Sequence, residues 1–273
     1  MKNVSQQKWL SLSININYKT DVDFIYQNLY NDIIGTFSQN EKIIFYFDDS
    51  KQQLVEGLIA NKKNFTLNKM GYENWHSNYK DYFQPITVDD KVMIVPDWFN
   101  TKDLSIDWIK ILPGMAFGTG NHETTQLVIS NIIKYINSGS KVLDLGSGSG
   151  ILAIAALKYG SDYVTAIEYD EDCKDNFLDN MKLNNISNNY KLLFQDVLEI
   201  DNYNYDFILA NLNKQVILKL LPNIKKFQTN KPYIILSGLL LSDKSDIIDL
   251  INQLDFNIIS ESQLGEWFCI VID

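Results

Sequence analysis

Arginine is absent from this 273-residue chain, whose 24 basic residues are all lysine. Planar, two-pronged guanidinium clamps on phosphate or carboxylate are therefore excluded. An anion must be held by backbone N–H groups, lysines or hydroxyls. The composition is rich in Asn, Ile, Lys and Tyr, and the coding bias that favours them accounts for the missing arginine. Positive charge is also short overall: 24 basic against 34 acidic residues leave a formal net charge of −10, so no direct nucleic-acid binding is expected. Cysteine is nearly missing. Cys173 and Cys269 can form neither a disulfide framework nor a four-thiolate zinc site, and they read as free thiols of a reducing compartment. Histidine is as scarce, with only His76 and His122, so no metal site is expected. The longest apolar run, residues 233–241, is broken by Ser237 and Gly238 and is far too short to cross a membrane. Residues 1–7 lack the apolar core of a signal peptide. A cytoplasmic protein without membrane association is expected.

What remains is an ordinary globular composition, 45% hydrophobic and 21% charged. Its length suits one large domain or two unequal ones. Residues 9–16 partly alternate (Leu10, Leu12, Ile14, Ile16), as a half-buried strand does. Val22, Ile25, Leu29 and Ile33 then recur at helical spacing behind Thr20 or Asp21 as N-cap. A β-rich run at 42–47, a short helix at 52–61 and a strand at 64–72 complete a β-α-β-α-β order, which predicts a small ferredoxin-like α+β domain over residues 1–72. Residues 73–90 read as a linker helix carrying an aromatic stripe of Trp75, Tyr79 and Phe83, a packing feature more often than a binding platform.

The remainder, residues 91–273, alternates strand and helix. Strands are predicted at 141–146, 163–168, 190–194, 205–211, 233–238, 257–261 and 266–272, with helical segments between the first six. This pattern predicts a doubly wound, seven-stranded, largely parallel sheet. Only residues 262–265 separate the last two strands, too few for a crossover, so the terminal strand should run antiparallel.

Three segments carry chemistry. In the first, Val142-Leu143-Asp144-Leu145-Gly146-Ser147-Gly148-Ser149-Gly150, an apolar strand ends in a carboxylate and small residues turn into a helix. Gly146 and Gly148 let a ligand approach the backbone there, and Glu168 ends the next strand where an acid can bind ribose hydroxyls. Gly148-Ser149-Gly150-Ile151-Leu152-Ala153 also satisfies a dinucleotide fingerprint. Asp144 points the other way, because a carboxylate there repels a pyrophosphate and suits the ammonium group of S-adenosylmethionine. In the second segment, three glycines and a proline (Pro113, Gly114, Gly118, Gly120) precede a predicted helix at 124–136. Phe117, Gly118 and Thr119 can close over a ligand, while the helix start offers hydroxyls and free N–H groups. Taken alone, the segment also suits a plain connection. His122 within it has no second histidine nearby to support a metal. The third segment ends an apolar strand in Asn211, at the same sheet edge as Asp144 and Glu168. Asn211 reads equally as the N-cap of a following helix or as a site residue.

Taken together, these pieces resemble the PrmA family, the bacterial methyltransferases of large-subunit ribosomal protein L-eleven. The resemblance rests on Tyr82-Phe83-Gln84-Pro85, Ile94-Val95-Pro96-Asp97-Trp98, Pro113-Gly114-Met115-Ala116-Phe117-Gly118-Thr119-Gly120, the glycine turn with Ile151-Leu152-Ala153-Ile154-Ala155-Ala156, Ala210-Asn211-Leu212, Ser237-Gly238 and Glu266-Trp267-Phe268-Cys269. It implies that Thr125, Gly146, Glu168 and Asn211 contact S-adenosylmethionine and that the N-terminal domain recognises ribosomal protein L-eleven. Asn211, whose neutral amide can accept a hydrogen bond from an incoming amine without adding charge, is the catalytic candidate. Glu123 stands where the family usually has proline, and Glu168 where it usually has aspartate. Asn213 interrupts an otherwise apolar position. A related methyltransferase of another protein, such as an electron-transfer flavoprotein subunit, a dinucleotide-binding oxidoreductase and a non-catalytic binding protein of the same fold are the alternatives.

Overall fold

The computed structural model describes residues 8–29, 32–33, 35–39, 41–71, 84–112 and 120–273. The chain divides into two compact units, one ending at Gln84 and the other beginning at Pro85.

In the first unit, β1 (Lys8–Asn15), α1 (Lys19–Leu29), β2 (Gly35–Gln39), β3 (Lys42–Asp48), α2 (Gln52–Ile59) and β4 (Phe65–Gly71) follow in order. The strands form one sheet in the order β2-β3-β1-β4, every pair antiparallel. This is the split β-α-β arrangement of a ferredoxin-like domain. Alternation in β1 puts Leu10, Leu12 and Ile14 on one face beside their partners Phe47, Phe45 and Ile43, and all six are buried with Ile25 and Leu29 of α1 and Val55 of α2. Sequence patterning missed β2, which is short and shows no apolar alternation (Gly-Thr-Phe-Ser-Gln). It forms by hairpin pairing with β3, a non-local stabilisation that propensity does not reveal.

The second unit opens with a three-stranded sheet that periodicity did not reveal: β5 (Ile86–Val88), β6 (Val92–Pro96) and β7 (Asp107–Ile111), with β5/β6 antiparallel and β6/β7 parallel. Most of the predicted linker helix at 73–90 lies outside the described residues, and its end is corrected by β5, because residues 86–88 pair with β6. His76, Trp75, Tyr79 and Phe83 also lie outside the described residues.

After α3 (Glu123–Tyr135) come β8 (Ser140–Leu145), α4 (Ile151–Lys158), β9 (Ser161–Glu168), α5 (Lys174–Leu183), β10 (Tyr190–Phe194), β11 (Phe207–Asn211), α6 (Lys214–Phe227), β12 (Tyr233–Leu240), α7 (Lys244–Gln253), β13 (Ile258–Leu264) and β14 (Trp267–Ile272). They build a seven-stranded sheet in the order β10-β9-β8-β11-β12-β14-β13, parallel except for β14, which runs antiparallel between β12 and β13. The predicted doubly wound sheet with a reversed last strand is thus present. One predicted helix is not. Between β10 and β11 the described chain makes only a 3-10 turn at Val197–Glu199, because Asp196 and Asn202 side chains accept the Leu198 and Asn204 N–H groups and hold local turns that compete with a helix.

The core explains why the strands read as continuous apolar runs. Both faces of the sheet are covered, one by α3 and α4 and the other by α6 and α7. In α4, all of Ile151, Leu152, Ala153, Ile154, Ala155 and Ala156 are buried, as expected of a helix that is apolar all round. Truncating a buried Leu or Ile there to Ala costs roughly 2–5 kcal/mol. Both cysteines are free thiols. Among the described residues no helix is long and apolar enough to cross a membrane, and no group of three His, Cys, Asp or Glu residues is placed to hold a metal.

Candidate functional site

Parallel pairing of β8 with β9 and β11 brings three strand ends to one edge. Leu145 stands opposite both Ile167 and Ala210, so Gly146, Glu168 and Asn211 follow side by side. The turn after β8 is pinned to β9 by the Gly146 and Ser147 N–H groups, both donating to the Ile167 carbonyl at 2.9 and 3.0 Å. Gly146 and Gly148 adopt φ of +73° and +50°, a left-handed region that disfavours side chains. A Cβ on Gly146 would also stand 2.6 Å from Leu212 Cδ2, so this glycine lets the loop after β11 close on the turn.

Glu168 holds the turn from the other side. Its Oε2 accepts the Gly148 N–H at 2.8 Å, and its Oε1 accepts the Tyr169 and Asp170 N–H groups at 2.8 and 3.0 Å. The residue read from sequence as a ribose ligand is therefore also a clamp on the glycine turn. Oε1 is filled by its two donors, while Oε2 has room for a further one.

Asp144 is fully buried (0% exposed), and neither of its carboxylate oxygens has a hydrogen-bond partner among the described residues. Burial, with the Glu168 carboxylate adding to it, pushes its pKa up to about 7. The nearby Ala153 N–H in the first turn of α4 pulls the other way without completing a regular hydrogen bond. An unpaired buried carboxylate is costly unless a cation or donor meets it. Other unpartnered buried atoms share the edge: Ser147 Oγ in the turn and Asn211 Oδ1 at the end of β11.

Thr125 Oγ1 is likewise buried and unpartnered, on the first turn of α3. That helix packs against α4, β11 and β12. Its start abuts the start of α4, since a Cβ on Gly120 would stand 3.1 Å from Ile151 Cδ1. His122 is the N-cap of α3. Its Nδ1 accepts the Thr124 N–H at 3.3 Å and lies 2.8 Å from Thr124 Oγ1, while its ring meets Trp267 edge-on with centroids 4.7 Å apart. Burial lowers the His122 pKa, and Glu123 opposes the shift.

Asn211 is not the helix cap. Asn213 takes that role, its Oδ1 accepting the Val216 N–H at 3.0 Å at the start of α6. The structure thus gathers Asp144, Gly146, Gly148, Glu168 and Asn211 at one edge, with Thr125 on the neighbouring helix start. Phe117, Gly118 and Thr119 lie outside the described residues. Sequence reading missed Ser147, whose position inside a glycine-rich turn was the available signal. It also missed the cap at Asn213, where the side chain sits immediately before a helical run.

Comparison with known proteins gives a consistent picture. The family described as Ribosomal protein L11 methyltransferase (PrmA) matches residues 9–273. Proteins of that name from Clostridium perfringens strains SM101 and 13 are each 33% identical over 242 residues, which span 87% of this chain and 77% of theirs. The crystal structure of a ribosomal protein L11 methylase from Lactobacillus delbrueckii subsp. bulgaricus superimposes with a TM-score of 0.64 at 30% identity, covering 70% of this chain and 98% of that one.

Proposed function

The chain belongs to the ribosomal protein L11 methyltransferase (PrmA) family, and from that premise we propose that it methylates lysine and N-terminal amines of ribosomal protein L11 with S-adenosylmethionine as donor. The observation that carries the cofactor reading is Asp144, buried with both oxygens unpartnered beside a glycine turn. A cationic ammonium group matches that carboxylate, whereas the pyrophosphate of a dinucleotide would meet it with like charge.

When bound, S-adenosylmethionine supplies a methyl group on a positively charged sulfur, open to direct displacement by an amine. Each protein residue then has a defined task. Asp144 in its ionised form pairs with the ammonium of the methionine portion, and Thr125 Oγ1 and Ser147 Oγ offer hydroxyls to its polar atoms. Glu168 accepts a ribose hydroxyl at Oε2 while keeping Gly148 in place. Gly148, at a φ of +50°, carries no side chain to bar close approach, while the missing side chain at Gly146 admits Leu212. Asn211 Oδ1 accepts a hydrogen bond from the incoming amine without adding charge. A carboxylate at that position would hold the amine in its protonated, non-nucleophilic form. A lysine side chain has a free pKa of about 10.4, and desolvation in a closed site lowers it toward the reactive neutral state. Orientation of the amine in line with the methyl group supplies much of the remaining acceleration.

The decisive experiment is mass spectrometry of purified ribosomal protein L11, and in parallel of an electron-transfer flavoprotein subunit, after incubation with the enzyme and isotopically labelled S-adenosylmethionine. Labelled methyl groups on L11 support this reading, and label only on the other protein overturns it. The small unit, residues 1–72 in the sequence reading, is assigned substrate recognition. A fragment beginning at Pro85 is expected to bind S-adenosylmethionine and to leave L11 unmethylated. Full activity in that fragment would give the small unit a different task.

A further inference from the structure

Strand β7 lies at the edge of its three-stranded sheet, so the backbone groups on its open side need partners from elsewhere. Helix α5 and its C-cap supply them through three asparagines, Asn176, Asn180 and Asn184, one turn apart. The Lys110 N–H donates to Asn184 Oδ1 at 3.0 Å, and Asn184 Nδ2 donates back to the Lys110 carbonyl at 2.6 Å. The Leu112 N–H donates to Asn180 Oδ1 at 2.7 Å, and Asn176 Nδ2 donates to the Leu112 carbonyl at 2.9 Å. The periods agree: alternate strand residues repeat at about 6.6 Å and four helical residues rise about 6 Å. The asparagines thus take the place of a neighbouring strand.

Asn180 does one thing more. It is completely buried (0% exposed), and its Nδ2 donates at 2.8 Å to the carbonyl of Ser149, inside the glycine turn. With Oδ1 committed to the Leu112 N–H, the amide cannot flip without losing both bonds. The peptide unit between Ser149 and Gly150 is then pinned at both ends, since the Gly150 N–H donates to the Ser147 carbonyl at 2.8 Å. Asn184, by contrast, bonds only Lys110 and its own helix among the described residues.

We propose that Asn180 is a positioning residue for the cofactor turn, fixing the Ser149 carbonyl, and with it residues 146–150, against the end of β7. The inference rests on the reading that this turn receives S-adenosylmethionine. It makes the small sheet β5–β7 part of the machinery that shapes the site.

The test compares Asn180→Ala, Asn180→Asp and Asn184→Ala with the unaltered chain, by calorimetric titration with S-adenosylmethionine and by hydrogen exchange without ligand. Asn180→Ala should weaken binding about tenfold or more, the scale of a lost buried hydrogen bond, and speed exchange at the amides of residues 146–151. Asn184→Ala should lower the melting temperature to a similar degree yet leave affinity within about twofold and the turn protected. Asn180→Asp, when ionised, keeps the acceptor for Leu112 but sets a second acceptor against the Ser149 carbonyl. It should lose at least as much affinity as Asn180→Ala and more of the melting temperature, both losses easing at low pH as protonation restores a donor. Equal affinity losses in Asn180→Ala and Asn184→Ala, or unchanged turn exchange in both Asn180 variants, would overturn the proposal. If the unaltered chain fails to bind S-adenosylmethionine, the cofactor reading falls. Faster turn exchange confined to the Asn180 variants would still uphold the positioning role.

Discussion

The asparagines of α5, which reach residues 146–150 through Asn180, and the tips of β8 and β11 are two clusters of polar atoms satisfied in opposite ways. Around α5, both ends of the Asn180 and Asn184 amides are paired, with the backbone of β7 and, for Asn180, also the glycine turn. At the strand tips, both oxygens of Asp144, Ser147 Oγ and Asn211 Oδ1 have no partner among the described residues, nor does Thr125 Oγ1 on the adjoining helix. A buried polar group left unpaired costs about 1–3 kcal/mol, so folds rarely keep several together without a ligand or water to complete them. The paired cluster is scaffold, and the unpaired one is the surface proposed to bind the cofactor. The glycine turn is where the first shapes the second.

That contrast can be broken most severely at the turn itself. Gly148→Val places a branched side chain at φ +50°, against the backbone that the cofactor must approach. Loss of S-adenosylmethionine binding with a native circular-dichroism spectrum is expected, and an unchanged calorimetric affinity would move the site elsewhere.

A sharper division separates two asparagines only two residues apart. Asn211→Ala should lower single-turnover methylation by roughly 10²-fold, about 3 kcal/mol of barrier, with little change in melting temperature. Asn213→Ala removes the cap of α6 and should lose about 1 kcal/mol of stability while turnover is largely kept. The reverse pattern would make Asn211 structural.

Asp144 gives the comparison a pH axis. Burial, and then Glu168, raise its pKa to about 7 in the ligand-free protein, whereas the ammonium-bearing ligand selects the ionised form. Affinity for S-adenosylmethionine should therefore fall toward a limit of about tenfold per pH unit below 7 and be level above it, with proton release on binding at pH 6. Stability of the ligand-free chain follows the opposite course. Because the folded pKa lies above the unfolded value of about 3.9, this group's contribution is full below pH 4 and is lost as the pH rises through 7. Asp144→Asn should flatten both profiles and raise the ligand-free melting temperature at pH 8. Affinity that stays level from pH 6 to 8 in the unaltered chain would detach Asp144 from the ligand.

Much of this was legible in the residues because the signals are local. Alternation marks β1, and apolar strands followed by turn residues mark β8, β9, β11 and β12. The Asp144–Gly150 segment announces a strand, a tight turn and a helix within a few residues. Residues 262–265, read as the gap between the last two strands, are too few for a crossover, and the structure leaves only two residues between β13 and β14, so the reversal of the last strand followed from chain length alone. Where local signals compete, reading failed: short β2 forms by pairing with β3, and side-chain turns at Asp196 and Asn202 displace a helix. The tertiary structure alone decided that β14 lies between β12 and β13, that Asn213 caps α6 while Asn211 Oδ1 has no partner among the described residues, and that Asn176, Asn180 and Asn184 line the edge of β7. Each of these outcomes depends on which distant backbone or side chain arrives to pair with a given polar atom. An amino acid's type states its capacity for hydrogen bonds; only the packed fold determines which of them are made and which are left for a ligand.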